Sequence, residues 1–337
     1  MCGGSDTSRV DGLELLGVGE DVGQLLREDV LLLVGQLEAC ERSDALDIGD
    51  GQGSGHEVDG TMASMPLVRR AAVAGRWYPD DPGRLTAQLD DHLAHAYVES
   101  VPSIRAILAP HAGLMYSGPV AAYAYAAARA RRVSAVVIVG PSHFVPFAGV
   151  SIWGDGAWDT PLGRITVARD LAEAIRLESD VITNLPSAHG REHSIEMQLP
   201  FIAHLMPGVA IVPMVMGHQT RATTLALGKA MAEGILSCGI EVLLVASSDL
   251  SHYEDSTTAA RLDAVVMERV ERLDGDGLME VLEAEPRHAC GGGPIVAVMD
   301  AARRLGATRA QVVKYADSGD VSGDKSSVVG YMAAAIW

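Results

Sequence analysis

The sequence predicts an α/β fold, a single domain in which a mixed, mostly parallel β-sheet is flanked by helices. Short segments that are apolar throughout, such as 135–139, or apolar after their first residue, such as 241–246, are typical of strands buried on both faces of a sheet. These segments alternate with longer segments of helical periodicity, an order that favours parallel strands joined by helices. The irregular order of the elements and a hairpin-like pair near the end of the chain indicate a mixed sheet rather than a regular doubly wound one.

The individual elements follow from local patterns. Leucines at 85, 89 and 93 on one face predict a helix at 81–97, with Pro82 near its start, where proline is tolerated. An alanine-rich composition predicts a helix at 120–131, and apolar residues at helical spacing predict further helices at 169–178, 192–205, 221–237, 257–272, 275–284 and 293–305. Apolar runs predict strands at 104–109, 135–139, 209–216, 241–246, 310–316 and 326–336, with a short antiparallel pair at 148–153 and 163–167.

The first 64 residues differ in composition from the rest of the chain. They carry 14 acidic side chains against 3 arginines, a net charge of −11 out of −18 for the whole chain. Two interpretations stay open for this segment. It is a disordered or loosely helical acidic extension, or translation begins at Met62 or Met65. Under both interpretations the folded domain is expected at 65–337.

Composition excludes several classes of protein. The four cysteines of the 337 residues show no CxxC spacing, which argues against a disulfide framework or a zinc finger and suits a reducing compartment. Lysines and arginines form no cluster, so nucleic-acid binding is not expected. No window reaches the roughly 20 apolar residues of a membrane span, and the expected location is the cytoplasm. No nucleotide cofactor is expected.

Three histidines stand just past the ends of predicted strands. His111 follows strand 104–109, His143 follows strand 135–139, and His252 follows strand 241–246. The residues beyond the carboxyl ends of the strands line the ligand crevice of α/β sheets, so the three imidazoles are expected at one site. The alternative for each is a structural histidine with a satisfied hydrogen bond.

Cys290 lies in a glycine-rich turn just before the predicted helix at 293–305. A helix N-terminus lowers the pKa of a thiol, and thiolate and imidazole are ligands that soft and borderline metals prefer. The pattern therefore predicts a metal site that includes this cysteine. A Cys–His nucleophile is an alternative interpretation, and an inert buried cysteine is another.

Further polar residues are predicted near this site. Asp249 can orient His252 as an acid–base pair, or it can simply cap the following helix. His193 and Glu196 are three residues apart and are expected on one helical face, which makes His193 an acid–base candidate. In both cases a structural role is the competing interpretation.

Two aromatic residues are predicted to line the substrate pocket. Trp77 and Tyr116 lie in predicted loops of a chain with only 4% aromatic residues. Aromatic side chains beside a polar cleft are typical of ligand pockets. Ordinary packing is the alternative for each of them.

Several ordered motifs together resemble the Memo-like family, whose prokaryotic members are called AmmeMemoRadiSam system protein B. The resemblance covers about residues 67–337. The matching strings are 75–79 (GRWYP), 109–113 (APHAG), 116–118 (YSG), 140–143 (GPSH), 192–201 (EHSIEMQLPF), 247–252 (SSDLSH), 290–291 (CG), 318–324 (SGDVSGD) and 328–331 (VVGY). The acidic segment 1–64 has no counterpart in the family pattern.

The resemblance implies a fold similar to class III extradiol dioxygenase catalytic subunits. It implies iron or copper held by His111, His143 and Cys290, with His252 and Asp249 lining the same pocket and Trp77 and Tyr116 at its mouth. A thiolate in place of the dioxygenase carboxylate softens the site, so ring-cleavage activity is not carried over. The prokaryotic family name also implies a functional link to AMMECR1-like and radical SAM proteins.

Three functions remain open from the sequence. The first is a metal-dependent oxidoreductase of unknown substrate, with His252 as acid–base residue. The second is a non-catalytic adaptor that holds a peptide or a partner protein in the same cleft. The third is a metal-free hydrolase or transferase that uses Cys290 and a histidine.

Overall fold

The structure, a computed structural model, describes residues 67–337. The predictions for residues 1–64 lie outside the described residues. Within the described range, no helix has both the length and the apolar character needed to cross a membrane.

The described residues form twelve strands in two sheets. In chain order these are β1 (Val68–Arg69), β2 (Ala106–Ala109), β3 (Ala135–Pro141), β4 (Val150–Ile152), β5 (Ala157–Thr160), β6 (Gly163–Thr166), β7 (Ile182–Thr183), β8 (Ala210–Met216), β9 (Val242–Ser247), β10 (His252–Glu254), β11 (Ala310–Asp317) and β12 (Val328–Ile336). The larger sheet has the order β10-β12-β2-β9-β3-β8-β4-β7, with β11 paired to β12, and the smaller sheet has the order β1-β5-β6.

The helices of residues 67–337 connect these strands. They are α1 (Pro82–His95), α2 (Leu114–Ala128), α3 (Arg169–Leu177), α4 (Ser187–Gly190), α5 (Leu199–Leu205), α6 (Arg221–Cys238), α7 (Ser256–Glu271), α8 (Gly275–Ala284), α9 (Gly292–Arg304) and α10 (Gly319–Ser322). Two short 3₁₀ helices, Glu196–Gln198 and Pro286–His288, precede α5 and α9.

The centre of the larger sheet consists of four parallel strands, β2, β9, β3 and β8. The antiparallel strands β12 and β4 flank this centre. Because the central strands are parallel, their carboxyl ends meet at one edge of the sheet. The loops that follow them are therefore brought together in space.

Helices cover both faces of the larger sheet and create two apolar cores. Successive strand residues point to opposite faces, so Leu108 and Val137 belong to one core while Ile107 and Val136 belong to the other. Side chains of α3, α6, α8 and α9 fill the first core, and those of α1, α2 and α5 fill the second. The predicted α/β fold with a mixed, mostly parallel sheet and flanking helices is confirmed.

Three details of the prediction are wrong. β4 pairs with β8 and β7, and the antiparallel pair is β5 with β6, because all three residues of Val150–Ile152 are buried in the large sheet. α2 begins at Leu114 rather than 120, with Pro119 inside it. The predicted helix 192–205 starts only with the 3₁₀ turn at Glu196, because the preceding backbone N–H groups donate to a side chain instead.

Candidate metal centre

Two loops after parallel strands and one turn before a helix bring three predicted ligands together. His111 lies two residues after β2, His143 lies two residues after β3, and Cys290 lies just before α9. One donor atom from each of the three side chains lies within 4.8 Å of the other two. Among residues 67–337 this is a group of donors able to hold a metal ion, as the sequence predicts.

His111 is almost completely buried and is fixed at both ends. Its backbone N–H donates to Oδ1 of Asp249 at 2.7 Å, and its Nδ1 lies 3.0 Å from the hydroxyl of Ser247. Its Nε2 lies 3.3 Å from Sγ of Cys290. The ring therefore presents Nε2 toward the cysteine, with its other nitrogen engaged on the protein side.

His143 is held by a carboxylate that the sequence did not single out. Nδ1 of His143 lies 2.9 Å from Oε1 of Glu192, and the backbone N–H of His143 donates to Oε2 at 2.6 Å. Burial alone would lower the pKa of His143, but its hydrogen bonds with Cys290 and Glu192 outweigh burial and raise the pKa to about 10. Burial would raise the pKa of Glu192, yet the contact with His143 holds it well below its usual range.

Cys290 approaches the two imidazoles because glycine follows it. A Cβ atom at position 291 would lie 2.7 Å from the carbonyl oxygen of Ser247 and 2.8 Å from Cβ of Ser248. The backbone N–H of Cys290 donates to the carbonyl of Asp249 at 3.3 Å. Burial raises the pKa of the thiol, but the neighbouring imidazoles outweigh burial and lower the pKa to about 5.

The donor set fits a borderline or soft transition metal. Two imidazole Nε2 atoms and one thiolate are ligands that zinc, copper and iron accept, whereas calcium and magnesium require oxygen ligands. The remote nitrogen of each imidazole is engaged by Ser247 or Glu192, an arrangement typical of metal-binding histidines.

His193 lies against the same centre. Its ring stacks on His143 with centroids 4.5 Å apart and lies 5.5 Å from His111. Burial, followed by the charge of His143, lowers the pKa of His193 well below its usual value, so the ring is neutral at pH 7. Its predicted role as an acid–base residue stays a prediction.

Glu196 does not join His193, contrary to the shared helical face expected from the sequence. Its carboxylate accepts hydrogen bonds from the Arg69 guanidinium, the Tyr78 hydroxyl at 2.8 Å and the backbone of Ala72 and Val73. The residues before the 3₁₀ turn are not helical, so the i, i+3 relation fails. Glu196 anchors the 69–78 segment instead.

Asp249 does not orient His252. Its Oδ1 accepts the backbone N–H groups of His111 at 2.7 Å and Ala112 at 3.3 Å, which fixes the loop after β2. Nδ1 of His252 contacts the carbonyl of Leu250 at 2.8 Å, and among the described residues no hydrogen bond joins it to Asp249. A role of either residue in catalysis stays a prediction.

Aromatic rings border the centre on one side. Trp77 packs against His193 with ring centroids 4.3 Å apart, and its predicted place at the mouth of the site stays a prediction. Phe144, which the sequence prediction missed, lies 5.9 Å from His193 and is 38% exposed. For the side chain of Tyr116, no hydrogen bond or ring contact within residues 67–337 reaches the cluster, and its predicted role stays a prediction.

The sequence patterns did not indicate that Glu192 and Ser247 would contact the two imidazoles. Both stand in motifs quoted for the family resemblance, 192–201 and 247–252, and both are completely or nearly completely buried. A buried carboxylate requires several hydrogen-bond donors. The glutamate that stands directly before His193 was therefore the feature of the sequence from which a supporting carboxylate could have been predicted.

Comparisons with known proteins agree with this architecture. The family model described as Memo-like protein matches residues 69–335. The MEMO1 family protein MTH_45 of Methanothermobacter thermautotrophicus is 39% identical over 273 residues, covering 79% of this chain and 99% of that protein. The MEMO1 family protein PAE0818 of Pyrobaculum aerophilum is 39% identical over 272 residues, covering 78% of this chain and 97% of that protein.

A third relative and one solved structure extend these matches. A MEMO1 family protein of Desulfurococcus amylolyticus is 38% identical over 276 residues, covering 79% of this chain and 97% of that protein. The crystal structure of the uncharacterized protein JW3007 from Escherichia coli K12 has a TM-score of 0.43 and 14% identity, and covers 68% of this chain and 99% of that one, a likeness too weak to support an inference. With its full-length relatives and its matched family model, this chain is a member of the Memo-like protein family.

Proposed function

We propose that the protein is a metal-dependent oxidoreductase that holds one iron or copper ion on His111, His143 and Cys290. The observation that supports this proposal is the convergence of three donor atoms within 4.8 Å, two of them imidazole nitrogens and one a sulfur. Three protein ligands leave coordination positions for a substrate, as in catalytic rather than structural metal sites. The thiolate favours a redox-active ion over a hard one.

The metal and the protein contribute different parts of this chemistry. A bound iron or copper ion would supply electron transfer and an open position for oxygen or a substrate. The residues of the chain would bind the ion, orient its ligands and shield the site. Asp249 holds the loop that carries His111, and Trp77 and Phe144 border the site and limit the access of water.

His193 is the residue best placed to move a proton in this site. Its ring lies over His143, and among residues 67–337 no group hydrogen-bonds to its Nε2. A neutral imidazole with a free nitrogen can accept a proton from a molecule bound at the metal ligands. We expect the substrate to be a small organic molecule or a peptide.

Metal content measured by inductively coupled plasma mass spectrometry tests this proposal. The full chain is purified without oxygen or chelators, beside Cys290→Ser, His111→Ala and the control Cys238→Ser. Cys238 ends α6 and belongs to neither group of candidate ligands in the described residues, so its substitution changes a thiol without changing the site. We expect about one equivalent of iron or copper in the wild type and in Cys238→Ser, and loss of the metal from the other two.

Equal metal in all four proteins, or none above background in any, would overturn the proposal. Loss in Cys290→Ser alone would remove His111 from the ligand set. The functional link to AMMECR1-like and radical SAM proteins, implied by the resemblance, would be tested by affinity purification with the metal-loaded protein. A metal-free result would favour the binding or adaptor function in the same cleft.

A metal-free Cys–His enzyme is the second candidate because Sγ of Cys290 lies 3.3 Å from Nε2 of His111. That distance lets the imidazole hold the thiol proton, as in cysteine hydrolases. Iodoacetamide labelling of Cys290 in protein as isolated separates the candidates. Rapid labelling with no metal bound supports the hydrolase, whereas protection that chelators remove supports the metal site.

A further inference from the structure

One short segment, residues 192–198, lies behind both imidazoles of the candidate metal centre. Glu192 contacts His143, and the hydroxyl of Ser247, which contacts His111, is itself held by Ser194 and Gln198. The sequence motif EHSIEMQ is thus connected to both histidines, although only His193 and Glu196 of its residues were expected near the site. The pattern of donors and acceptors shows what this connection does.

The hydroxyl of Ser247 can only accept a hydrogen bond from His111. Its single proton is donated to the carbonyl oxygen of Ser194 at 2.6 Å. It also accepts from Nε2 of Gln198 at 2.8 Å. Because the Ser247 proton is already donated to Ser194, the 3.0 Å contact requires His111 to carry a hydrogen on Nδ1. In the neutral ring this leaves the lone pair on Nε2.

The orientation of the Gln198 amide is fixed by its other contacts. Its Oε1 accepts the hydroxyl of Tyr125 at 2.9 Å, and its Nε2 donates to the carbonyl of Pro110 at 3.0 Å. A flipped amide would place its oxygen against that carbonyl oxygen. The amide therefore remains a donor toward Ser247, and the assignment for His111 holds.

The carboxylate of Glu192 makes the same selection at His143. An ionised carboxylate only accepts hydrogen bonds, so Nδ1 of His143 must donate across the 2.9 Å contact. The backbone N–H groups of His143, His193 and Ser194 donate to the same carboxylate at 2.6, 2.9 and 2.8 Å. When His143 gives up its Nε2 proton to bind a metal, its lone pair is therefore on Nε2.

These hydrogen bonds also show whether Glu192 binds a metal ion directly or supports His143. The donor atoms of His143, Glu192 and His193 lie within 4.8 Å of one another and form a second group able to hold a metal. Oε1 of Glu192 accepts three hydrogen bonds, from His143, His193 and Ser194, and Oε2 accepts a fourth from the backbone of His143, so the roughly four acceptor sites of the carboxylate are all engaged. Glu192 therefore acts on the metal centre through His143.

We propose that residues 192–198 are the positioning element of the metal centre, selecting Nε2 as the ligand atom of both histidines. The two supports differ in charge. The carboxylate of Glu192 increases the electron donation of His143 to the metal, whereas the neutral hydroxyl of Ser247 orients His111 without adding charge. This inference rests on the proposed metal ligands, and Glu192 is a positioning residue rather than a catalytic one.

Titration with Co(II) tests the role of the Glu192 charge. Co(II) bound by a thiolate gives a sulfur-to-cobalt absorption band, so the same titration reports ligation by Cys290 and affinity. Glu192→Gln removes the charge and places an amide nitrogen against N–H donors. We expect the band to remain while the affinity for Co(II) falls by about 10- to 100-fold.

Asp263→Asn is the matched control. Asp263 is a buried carboxylate that accepts the backbone N–H of Ser251 at 2.9 Å and the hydroxyl of Tyr315 at 2.8 Å, and it contacts neither imidazole. Its substitution should change the Co(II) affinity by less than about threefold. Equal losses in both variants would show a general effect of buried charge and overturn the inference, and so would an unchanged affinity in Glu192→Gln.

Nitrogen-15 NMR of the Zn(II)-loaded protein with labelled histidine tests the selection of Nε2 without any substitution. We expect His111 and His143 to carry hydrogen on Nδ1 and zinc on Nε2. Zinc on Nδ1 of either ring would overturn the inference. Ser247→Ala should reduce the Co(II) affinity less than Glu192→Gln does, because it removes an orienting group but no charge.

The outcomes separate this inference from the proposed function. Absence of the cobalt–sulfur band in the wild type contradicts the proposed ligands. Presence of the band, with equal affinities in the wild type and Glu192→Gln, leaves the ligands intact and contradicts only the role of residues 192–198.

Discussion

Replacing Glu196 by glutamine should destabilise the protein strongly, because a buried arginine loses its counter-charge. The side chains of Arg69 and Glu196 are 2% and 0% exposed, and they form an ion pair. The carboxylate also accepts the Tyr78 hydroxyl and the backbone N–H groups of Ala72 and Val73. A glutamine amide nitrogen must face two of these four donors, whichever way it is oriented.

The magnitude follows from the partners that remain. Removing one member of a buried ion pair costs about 3–5 kcal/mol, and each buried donor left without an acceptor costs about 1–3 kcal/mol. Arg69 keeps hydrogen bonds to the carbonyl oxygens of His189 and Glu192, which favours the low end of both ranges. We therefore expect the free energy of unfolding to fall by about 4 kcal/mol.

Urea denaturation followed by circular dichroism measures this loss. With a slope of about 3 kcal/mol/M, the midpoint should move down by about 1.3 M. The surface control Glu178→Gln should change the free energy by less than about 0.5 kcal/mol. The double variant Arg69→Met with Glu196→Gln should cost less than the sum of the single variants, because it leaves no unpaired charge.

A loss below about 1 kcal/mol for Glu196→Gln would refute this reasoning. So would a double variant whose cost equals the sum of the two single costs, because additivity means that the two side chains do not interact. Either result would also show that Glu196 does not hold the 69–78 segment, and with it Trp77, beside the candidate metal centre.

Two further predictions concern residues around the centre. Gly140→Ala places a Cβ atom 2.5 Å from Oγ of Ser194. We therefore expect the free energy of unfolding, measured by urea denaturation, to fall by about 1–3 kcal/mol and Co(II) binding to weaken. Gly154 has open space around it, so Gly154→Ala should bind Co(II) normally. Burial, and then the charge of Arg69, lowers the pKa of His189 to about 3, below its unfolded value of about 6.5. The unfolded chain therefore binds more protons at acidic pH, and stability from this group is lost as the pH falls below about 6.5. Between pH 7 and pH 5 the free energy of unfolding of the wild type should fall by about 2 kcal/mol more than that of His189→Gln. Equal falls would contradict the lowered pKa of His189.

Much of the fold could be predicted because strand and helix patterns are local. The apolar segments 135–139 and 241–246 became the central strands β3 and β9, and leucines 85 and 89 became the buried face of α1. Pairing between strands is not local, and the antiparallel pair expected at 148–153 and 163–167 was wrong for that reason. The three-residue strand β4 could have paired with several partners, and its burial in the large sheet selected β8.

The rule about parallel sheets predicted that His111, His143 and His252 share one site, whereas the ligand set of His111, His143 and Cys290 was implied by the family resemblance. His111, His143 and Cys290 follow strands or precede a helix at the same edge, and the structure brings their donor atoms together. Asp249 and His252 also follow one strand, yet Asp249 turns toward the backbone of His111 instead. Position after a strand determines at which edge of the sheet a residue lies, but the direction of its side chain depends on its hydrogen-bond partners.

The α/β fold and the family follow from the chain alone, because apolar periodicity and the order of motifs are properties of the sequence. The same motifs implied that His111, His143 and Cys290 share a site. Which groups hydrogen-bond these side chains depends on how distant segments pack in the folded protein. Glu192 and His143 are 49 residues apart, and Ser247 and His111 are 136 residues apart. Their hydrogen bonds arise when the loops after different strands pack at one edge, a packing that no local pattern encodes.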